Sequence, residues 1–438
     1  LNLDPVLQAI LRQRPKSPRI AEWSLYISRT ERMTLGVKDR QAGNAHSPLK
    51  ITDGCGARYL LVWEDGRISR GYLERKQLER EATDALAAAR AAAYRDPDAA
   101  HVLGPAEFPD VELYDEDTAS QARGSTSLIA RRLATIRKKI ASHSFGTWSG
   151  AFSISCSESR VVTSAGLEAA DRKTSFSWRA TVEGECGDGF SGRRPEGEAE
   201  FEQRLDRVME TIQLLKRQAE PMTSGTYPVL LHPEVVEDYV LNTLLWNLSG
   251  PSVSHGDGRF RVDQFGADRR IVRQDLALRI DPLQPMKSGS YRFTTEGLPA
   301  SRCSYIERGR LVRPVLNLKY AHRLGLPLTP VPYAMDVLSL EGPPPLSLAE
   351  SLEAASRGAL VLSVLGVHAQ DKASGDFSLS APQALRIEGG RLRGRIRATI
   401  SGNLFDLLAS DELNLVRFPG EHTPGLLVSC RLDPASGP

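Results

Sequence analysis

The spacing of apolar residues changes character at Pro221-Met222-Thr223-Ser224-Gly225, and a chain with two different patterns on either side of such a break is expected to build two cores. Before the break, helical and strand periods alternate. Pro5 to Arg14 opens as a short helix, Glu22 to Ser28 alternates like a strand, and Arg58 to Trp63 with Ile68 to Leu73 forms a hairpin about Asp65-Gly66. Helices are predicted over Glu74 to Tyr94, Ala122 to Ser142 and Glu198 to Ala219. Between the last two, Trp148 to Val182 reads as three strands turning at Glu158-Ser159 and at Glu168 to Arg172. Beyond the break come short strands punctuated by Gly and Pro, among them Tyr227 to Leu231, Arg310 to Leu316, Arg391 to Ile400 and Leu426 to Leu432. The helices there are few, chiefly Pro233 to Asn247 and Leu348 to Ser356. The expected class is α+β: an N-terminal α/β layered domain over residues 1-220, with one sheet face hidden under helices, then a mainly β, sandwich or barrel-like C-terminal domain over residues 221-438.

The 438 residues suffice for two such cores, and 41% hydrophobic with 25% charged residues excludes disordered and collagen-like classes. Lys+Arg 56 against Asp+Glu 54 leaves a formal charge of +2, so no global field announces a nucleic-acid or membrane partner. The longest mainly apolar stretch, Ala359 to Gly366, is too short to span a bilayer. Leu1-Asn2-Leu3-Asp4-Pro5 lacks the features of a signal peptide, and five scattered cysteines suit a reducing compartment. A cytoplasmic location is expected.

Chemistry-bearing motifs are sparse. The eight histidines include no pair a helical turn apart, which removes a local zincin motif. Gly54-Cys55-Gly56 and Gly184 to Gly189 lack phosphate-loop spacing and are expected to be turns, and no GxSxG elbow occurs. Arg391, Arg393, Arg395 and Arg397 alternate along a strand, which predicts four guanidinium groups on one side. They read either as an attraction for an acidic or nucleic-acid backbone or as a guarded, solvated strand edge; no aromatic residues interleave them, which favours the edge. The loop Gly366 to Phe377 is polar and Gly-bounded, and His368, Gln370, Asp371 and Asp376 are its candidate substrate-binding residues. His368 beside Asp371 or Asp376 fits an oriented base or ligand, and equally a hydrogen-bonded structural histidine.

Ser374-Gly375-Asp376-Phe377-Ser378, the turn Ile387-Glu388-Gly389-Gly390-Arg391-Leu392, and Ile400-Ser401-Gly402-Asn403-Leu404-Phe405-Asp406-Leu407-Leu408 follow one another in the order of the C-terminal signature of the TldD/PmbA family, which this chain resembles. Ile280-Asp281-Pro282, Thr295 to Pro299, Ile306 to Leu311 and Leu318 to Gly325 are similar to further elements of that family, and Thr163 to Gly166 fits it loosely. The resemblance implies one of two subunit types. The TldD type carries HExxxH, binds zinc and cleaves unstructured peptides; the PmbA or TldE type lacks that motif and pairs with the first. Here the corresponding stretch is His232-Pro233-Glu234-Val235-Val236-Glu237: a proline stands for the glutamate base and Glu237 for the second histidine. The resemblance therefore implies a non-catalytic TldE-like subunit with no zinc or other cofactor of its own. It would form a heterodimer with a zinc-bearing TldD-like metallopeptidase subunit, and would enclose a flexible peptide for proteolysis or peptide maturation. The competing expectations are a self-sufficient homodimeric hydrolase or peptide-modifying enzyme using His368 and nearby carboxylates, and a nucleic-acid-associated protein.

Overall fold

In the computed structural model the described residues are 4–13, 19–38, 41–42, 49–74, 82–143, 145–184 and 186–434. Among them the first 200 residues build one antiparallel sheet from β1 (Ile20–Lys38), β2 (Gln41–Ala42), β3 (Lys50–Trp63), β4 (Arg67–Glu74), β5 (Tyr94–Arg95), β6 (Trp148–Thr163), β7 (Glu168–Val182) and β8 (Cys186–Gly192). Its order is β5-β4-β3-β1-β6-β7-β8, with β2 paired to β1. Side chains alternate across the sheet, so Leu25, Ile27 and Met33 share a face with Ala57, Leu61, Ile154 and Phe176. That face is covered by helices: Asp4–Gln13 and Ala82–Ala91 at one end, Ser127–Ser142 and Glu198–Leu215 at the other. The layering expected from the amphipathic pattern is present.

The second half holds two sheets. β9 (Gly225–Leu231) opens it, and β10 (Ala277–Ile280), β11 (Cys303–Glu307), β12 (Arg310–Leu311) and β13 (Leu338–Glu341) form a small antiparallel sheet in the order β12-β11-β10-β13. The larger sheet contains β14 (Leu346–Ser347), β15 (Arg357–Leu365), β16 (Asp376–Glu388), β17 (Arg391–Asn403), β18 (Asn414–Arg417) and β19 (Gly425–Pro434). β9 pairs parallel with β15 and antiparallel with β19, while β19, β17, β16 and β15 pair in succession. Five strands therefore close on themselves as a barrel, which removes the free edges of the sheet. Leu379, Ala381, Ala398, Ile400, Val428 and Leu432 are buried in the core that continues from it.

Local differences from the sequence reading have identifiable causes. Trp148 to Val182 makes two long strands, not three: Glu158 stays in β6 because it lies opposite Arg172 and 3.6 Å from its guanidinium, and the turn falls at Ser164 to Gly166 instead. The helix expected from Ala122 to Ser142 begins only at Ser127; Ala122 instead ends a separate helix, Glu116–Ala122, capped by Asp115, and Arg123-Gly124 separates the two. The strand expected over Arg310 to Leu316 stops at Leu311, since Pro314 has no N–H to offer a ladder. Gly54-Cys55-Gly56 lies inside β3, with the Tyr72 ring pressed on Gly56, and Gly187 and Gly189 lie inside β8 with neighbouring backbone pressed close. These are strand positions, and the expected turn is confined, among the described residues, to Gly184 (φ 68°). Of the helix expected from Glu74 to Tyr94, residues 75–81 lie outside the described set. None of the described helices is long and apolar enough to cross a membrane.

Candidate active site

β9 runs out of the barrel into His232, which has extended backbone (φ −62°, ψ 150°) and caps the helix that follows. Pro233 takes the first helical position, where its missing N–H costs nothing. Pro233–Val235 continues through a π-helical turn, Val236–Leu241, into Asn242–Leu248, so the segment predicted as one helix contains a local widening. The Glu234 N–H donates to His232 Nδ1 at 3.3 Å, and the imidazole sits edge-on to Phe418 with 5.0 Å between ring centroids. Burial pushes its pKa down to about 4, so the ring is neutral at pH 7.

This turn forms part of the wall of a cavity of about 1210 Å³ between the first sheet and the barrel. β7 and β8 contribute Arg179, Cys186 and Asp188, the helix Glu198–Leu215 contributes Arg207, and the loop after β18 contributes Phe418 and Glu421. Ion pairs tie the two halves together across it. Arg179 Nη2 donates to Glu234 Oε1 at 2.8 Å, and Arg204 Nη1 donates to both Asp188 and Glu421 at 3.2 Å. Thr423 Oγ1 donates to Glu237 Oε1 at 2.5 Å. Burial raises the carboxyl pKa values of Asp188, Glu237 and Asp238, and takes Glu421 to about 7 against the pull of Arg204. Burial also takes the Cys186 thiol to about 12, which leaves it a poor nucleophile.

The raised Glu421 has a measurable consequence. Between the ordinary glutamate value of 4.5 and about 7, the native chain holds a proton that the unfolded chain has released. Its contribution to stability is complete below pH 4.5 and disappears as pH rises through about 7. Glu421→Gln should flatten the fall in urea stability between pH 5 and pH 8 by about 1–2 kcal/mol, with Asp188 and Glu237 retaining part of the slope. An unchanged slope would mean that Glu421 is solvated.

Zinc does not fit these residues. His232 Nδ1 is occupied by a backbone N–H, Glu237 is held by Thr423, and Pro233 has no acid or base function. Among the described residues no three His, Cys, Asp or Glu side chains are grouped so as to hold a metal ion.

The four candidates of the polar loop lie elsewhere. His368 is exposed on the short helix Val367–Ala369, where its charge favours the ionised form of Asp238. Gln370 Oε1 accepts the Ser378 N–H at 2.8 Å, Asp371 accepts the N–H groups of Ala373 and Ser374, and Asp376 accepts Asn403 Nδ2 at 2.8 Å. The last three are thus engaged in folding the loop, and none of the four lines the cavity. The guanidinium row is also corrected. A register shift in the β16–β17 pairing carries Arg395 into the interior, 8% exposed, while Arg393 lies 3.6 Å from Glu388. Of the cavity's charged groups, Glu234, Glu237 and Asp238 fall in or beside the His232 stretch the sequence singled out, whereas Arg179, Asp188, Arg207 and Glu421, with Arg204 behind them, carried no motif.

Residues 224–429 match the family model described as the PmbA/TldA metallopeptidase C-terminal domain. A metalloprotease of Synechocystis sp. is 28% identical over 205 residues, which cover 44% of this chain and 43% of the relative, so the match spans less than half the length of that protein. Three solved structures share the fold. TldE from Thermococcus kodakarensis superposes with a TM-score of 0.79 at 18% identity, over 98% of this chain and 100% of that one. A putative modulator of DNA gyrase from Bacteroides thetaiotaomicron gives 0.77 at 17% identity, over 98% and 97%. Another from Thermotoga maritima gives 0.71 at 19%, over 94% and 96%. The domain that supplies both the barrel and the His232 wall of the cavity is thus the part of the chain that matches the PmbA/TldA metallopeptidase family, and the fold of the whole chain is shared with the three solved structures.

Proposed function

We propose that the chain is the non-catalytic, TldE-like member of a two-subunit peptidase, whose cavity encloses part of a flexible peptide while a TldD-like partner carrying HExxxH brings the zinc. The supporting observation is the occupation of the His232–Glu237 turn by structural bonds. The imidazole accepts from its own helix, the base position is Pro233, and the position of the second histidine is a carboxyl clamped to Thr423. The likeness to TldE across the whole fold is in keeping with this reading. The cavity suits an extended chain: it is large, and it mixes apolar walls such as Phe418 and Leu360 with the Arg179–Glu234 ion pair and the carboxyl of Asp238. Hydrolysis would fall to the partner, with this subunit holding and orienting the peptide.

The test is metal analysis and peptide hydrolysis on the chain alone and after addition of a family member with HExxxH intact. Substoichiometric zinc and no cleavage by the lone chain are expected, with turnover only in the co-purified pair. One tightly held zinc per chain, together with hydrolysis in the absence of any partner, would overturn the assignment.

A further inference from the structure

The face of the first sheet turned away from its helices carries a second recess, of about 720 Å³, that the preceding function does not use. Cross-strand register places Tyr72 of β4, Arg58 of β3 and Tyr26 of β1 side by side in one row, with Ser24 and Ser28 on either side of Tyr26. The opposite wall is formed by His101 and by Thr295 and Glu296. Gly56 makes this surface possible: a Cβ there would lie 1.9 Å from Tyr72 Oη, so the ring rests directly across the backbone of β3. Tyr72 is nevertheless 54% exposed, a large aromatic surface left open to solvent.

Arg58 is the unusual member. It is exposed, and no hydrogen bond or ion pair within the described residues engages its guanidinium, whereas Arg70 beside it donates to the Ala99 carbonyl at 3.2 Å. The one carboxylate in the lining, Glu296, accepts the Leu318 N–H at 3.0 Å and so faces a helix start. Glu22 and Asp98 contribute negative potential around His101. The recess thus presents a planar cation, Arg58, without a hydrogen-bond partner among the described residues and between two aromatic rings, with a second guanidinium, Arg70, held by a carbonyl beside it and a single carboxylate, Glu296, on the opposite wall. That combination suits a single carboxylate with an apolar stem, since a guanidinium fork matches a carboxylate in two parallel hydrogen bonds and the rings cover the stem.

We propose that this recess is a binding site for a carboxylate presented by a peptide, with Arg58 as the group that contacts the anion. A peptide C-terminus and an acidic side chain both present such a carboxylate, and the experiment separates the two. The inference borrows only the class of ligand from the peptide reading of the first cavity, and it is tested on this chain by itself. Failure here would leave the partner-dependent zinc chemistry intact, and failure there would leave this binding measurable.

Fluorescence anisotropy of the full chain would be measured with labelled hexapeptides in three forms: a free C-terminus without acidic residues, the same peptide amidated, and an amidated peptide with one internal Glu. Binding of the first form at least ten-fold tighter than its amidated version is expected for a C-terminal carboxylate, and binding of the third form at least ten-fold tighter than the amidated acid-free peptide for an acidic side chain; one of the two is expected. Arg58→Met should weaken the bound form about ten-fold or more without changing the melting temperature, Arg58→Lys should restore part of it, and N-acetylphenylalanine should compete. Equal binding of all three forms, indifference to Arg58→Met, absence of binding by every peptide, or tighter binding of an oligothymidine than of any peptide would each overturn the proposal. A melting temperature lowered by Arg58→Met would transfer the decision to the Arg58→Lys and competition results.

Discussion

Arg132→Ala is expected to cost the N-terminal layer about 3–5 kcal/mol, read as a shift of the first urea transition, because it removes one member of a fully desolvated ion pair. The Arg132 side chain is 0% exposed and its partner Glu196 1% exposed, with 2.7 Å between Nη1 and Oε1. The second Arg132 nitrogen donates to the Glu196 carbonyl at 2.7 Å, and Trp178 Nε1 donates to the same carboxylate at 2.5 Å. The guanidinium also lies over Phe201 and Phe176, at 4.3 and 5.2 Å from their centroids. Alanine would leave a carboxylate in the core with only the indole to satisfy it, together with a void between two phenylalanines. Arg132→Met with Glu196→Gln should recover most of the loss, since the methionine fills the space and the amide oxygen still receives the indole N–H. A loss below about 1 kcal/mol in the single variant would mean that water reaches this pair. The sequence concealed it: Arg132 stands next to Arg131 in a run of charges that reads as a solvated helix face, and only the approach of the Glu198–Leu215 helix and its preceding loop places one of the two inside.

The same contrast governs what could be read elsewhere. Periodicity carried the layer of helices on a sheet and the change to a mainly β pattern after Gly225, although β16 and β17 run to 13 residues each where short strands were expected. Two of the resemblance motifs turn out to be one physical unit. Asn403 caps the helix Leu404–Ala409 through its oxygen, and its amide nitrogen donates to the Ser374 carbonyl and to Asp376, so that Ser374 to Asp376 and Asn403 to Asp406 hold each other in place. Their order along the chain was legible; their bonding was not. The cavity was harder still, since Asp188, Arg204 and Glu421 are separated by up to 233 positions and meet only through the packing of sheet, helix and barrel. Arg395 was misplaced for a smaller reason, one of two register shifts in the β16–β17 pairing, which breaks the alternation between Leu392 and Arg395.

Closure of the barrel rests on one close approach, and Gly358→Ala should break it. A Cβ on Gly358 would lie 2.1 Å from the Pro228 carbonyl oxygen and 3.1 Å from its carbon, both backbone atoms that no rotamer change can move. β15 and β9 would have to separate at the seam where Ala359, Leu360 and Val361 face Val229, Leu230 and Leu231. Overpacking against backbone is expected to cost about 3 kcal/mol, at the upper end of the usual range for an added methyl group. The damage should also reach the cavity, because the His232 N–H donates to the Val361 carbonyl at 3.0 Å and Leu231 leads directly into the capping turn. Two readouts follow. The urea midpoint of the C-terminal transition should fall, whereas Gly197→Ala, whose Cβ would meet nothing within 4 Å, should stay within about 1 kcal/mol of the parent. In whatever fraction remains folded, the His232 imidazole should titrate closer to its ordinary 6.5 than to about 4, as loosening of the turn admits water. If Gly358→Ala unfolds at the parent's urea concentration and His232 keeps its depressed titration, β9 and β15 are not in contact, the ring of five strands is open, and the His232 turn is positioned by something other than the barrel.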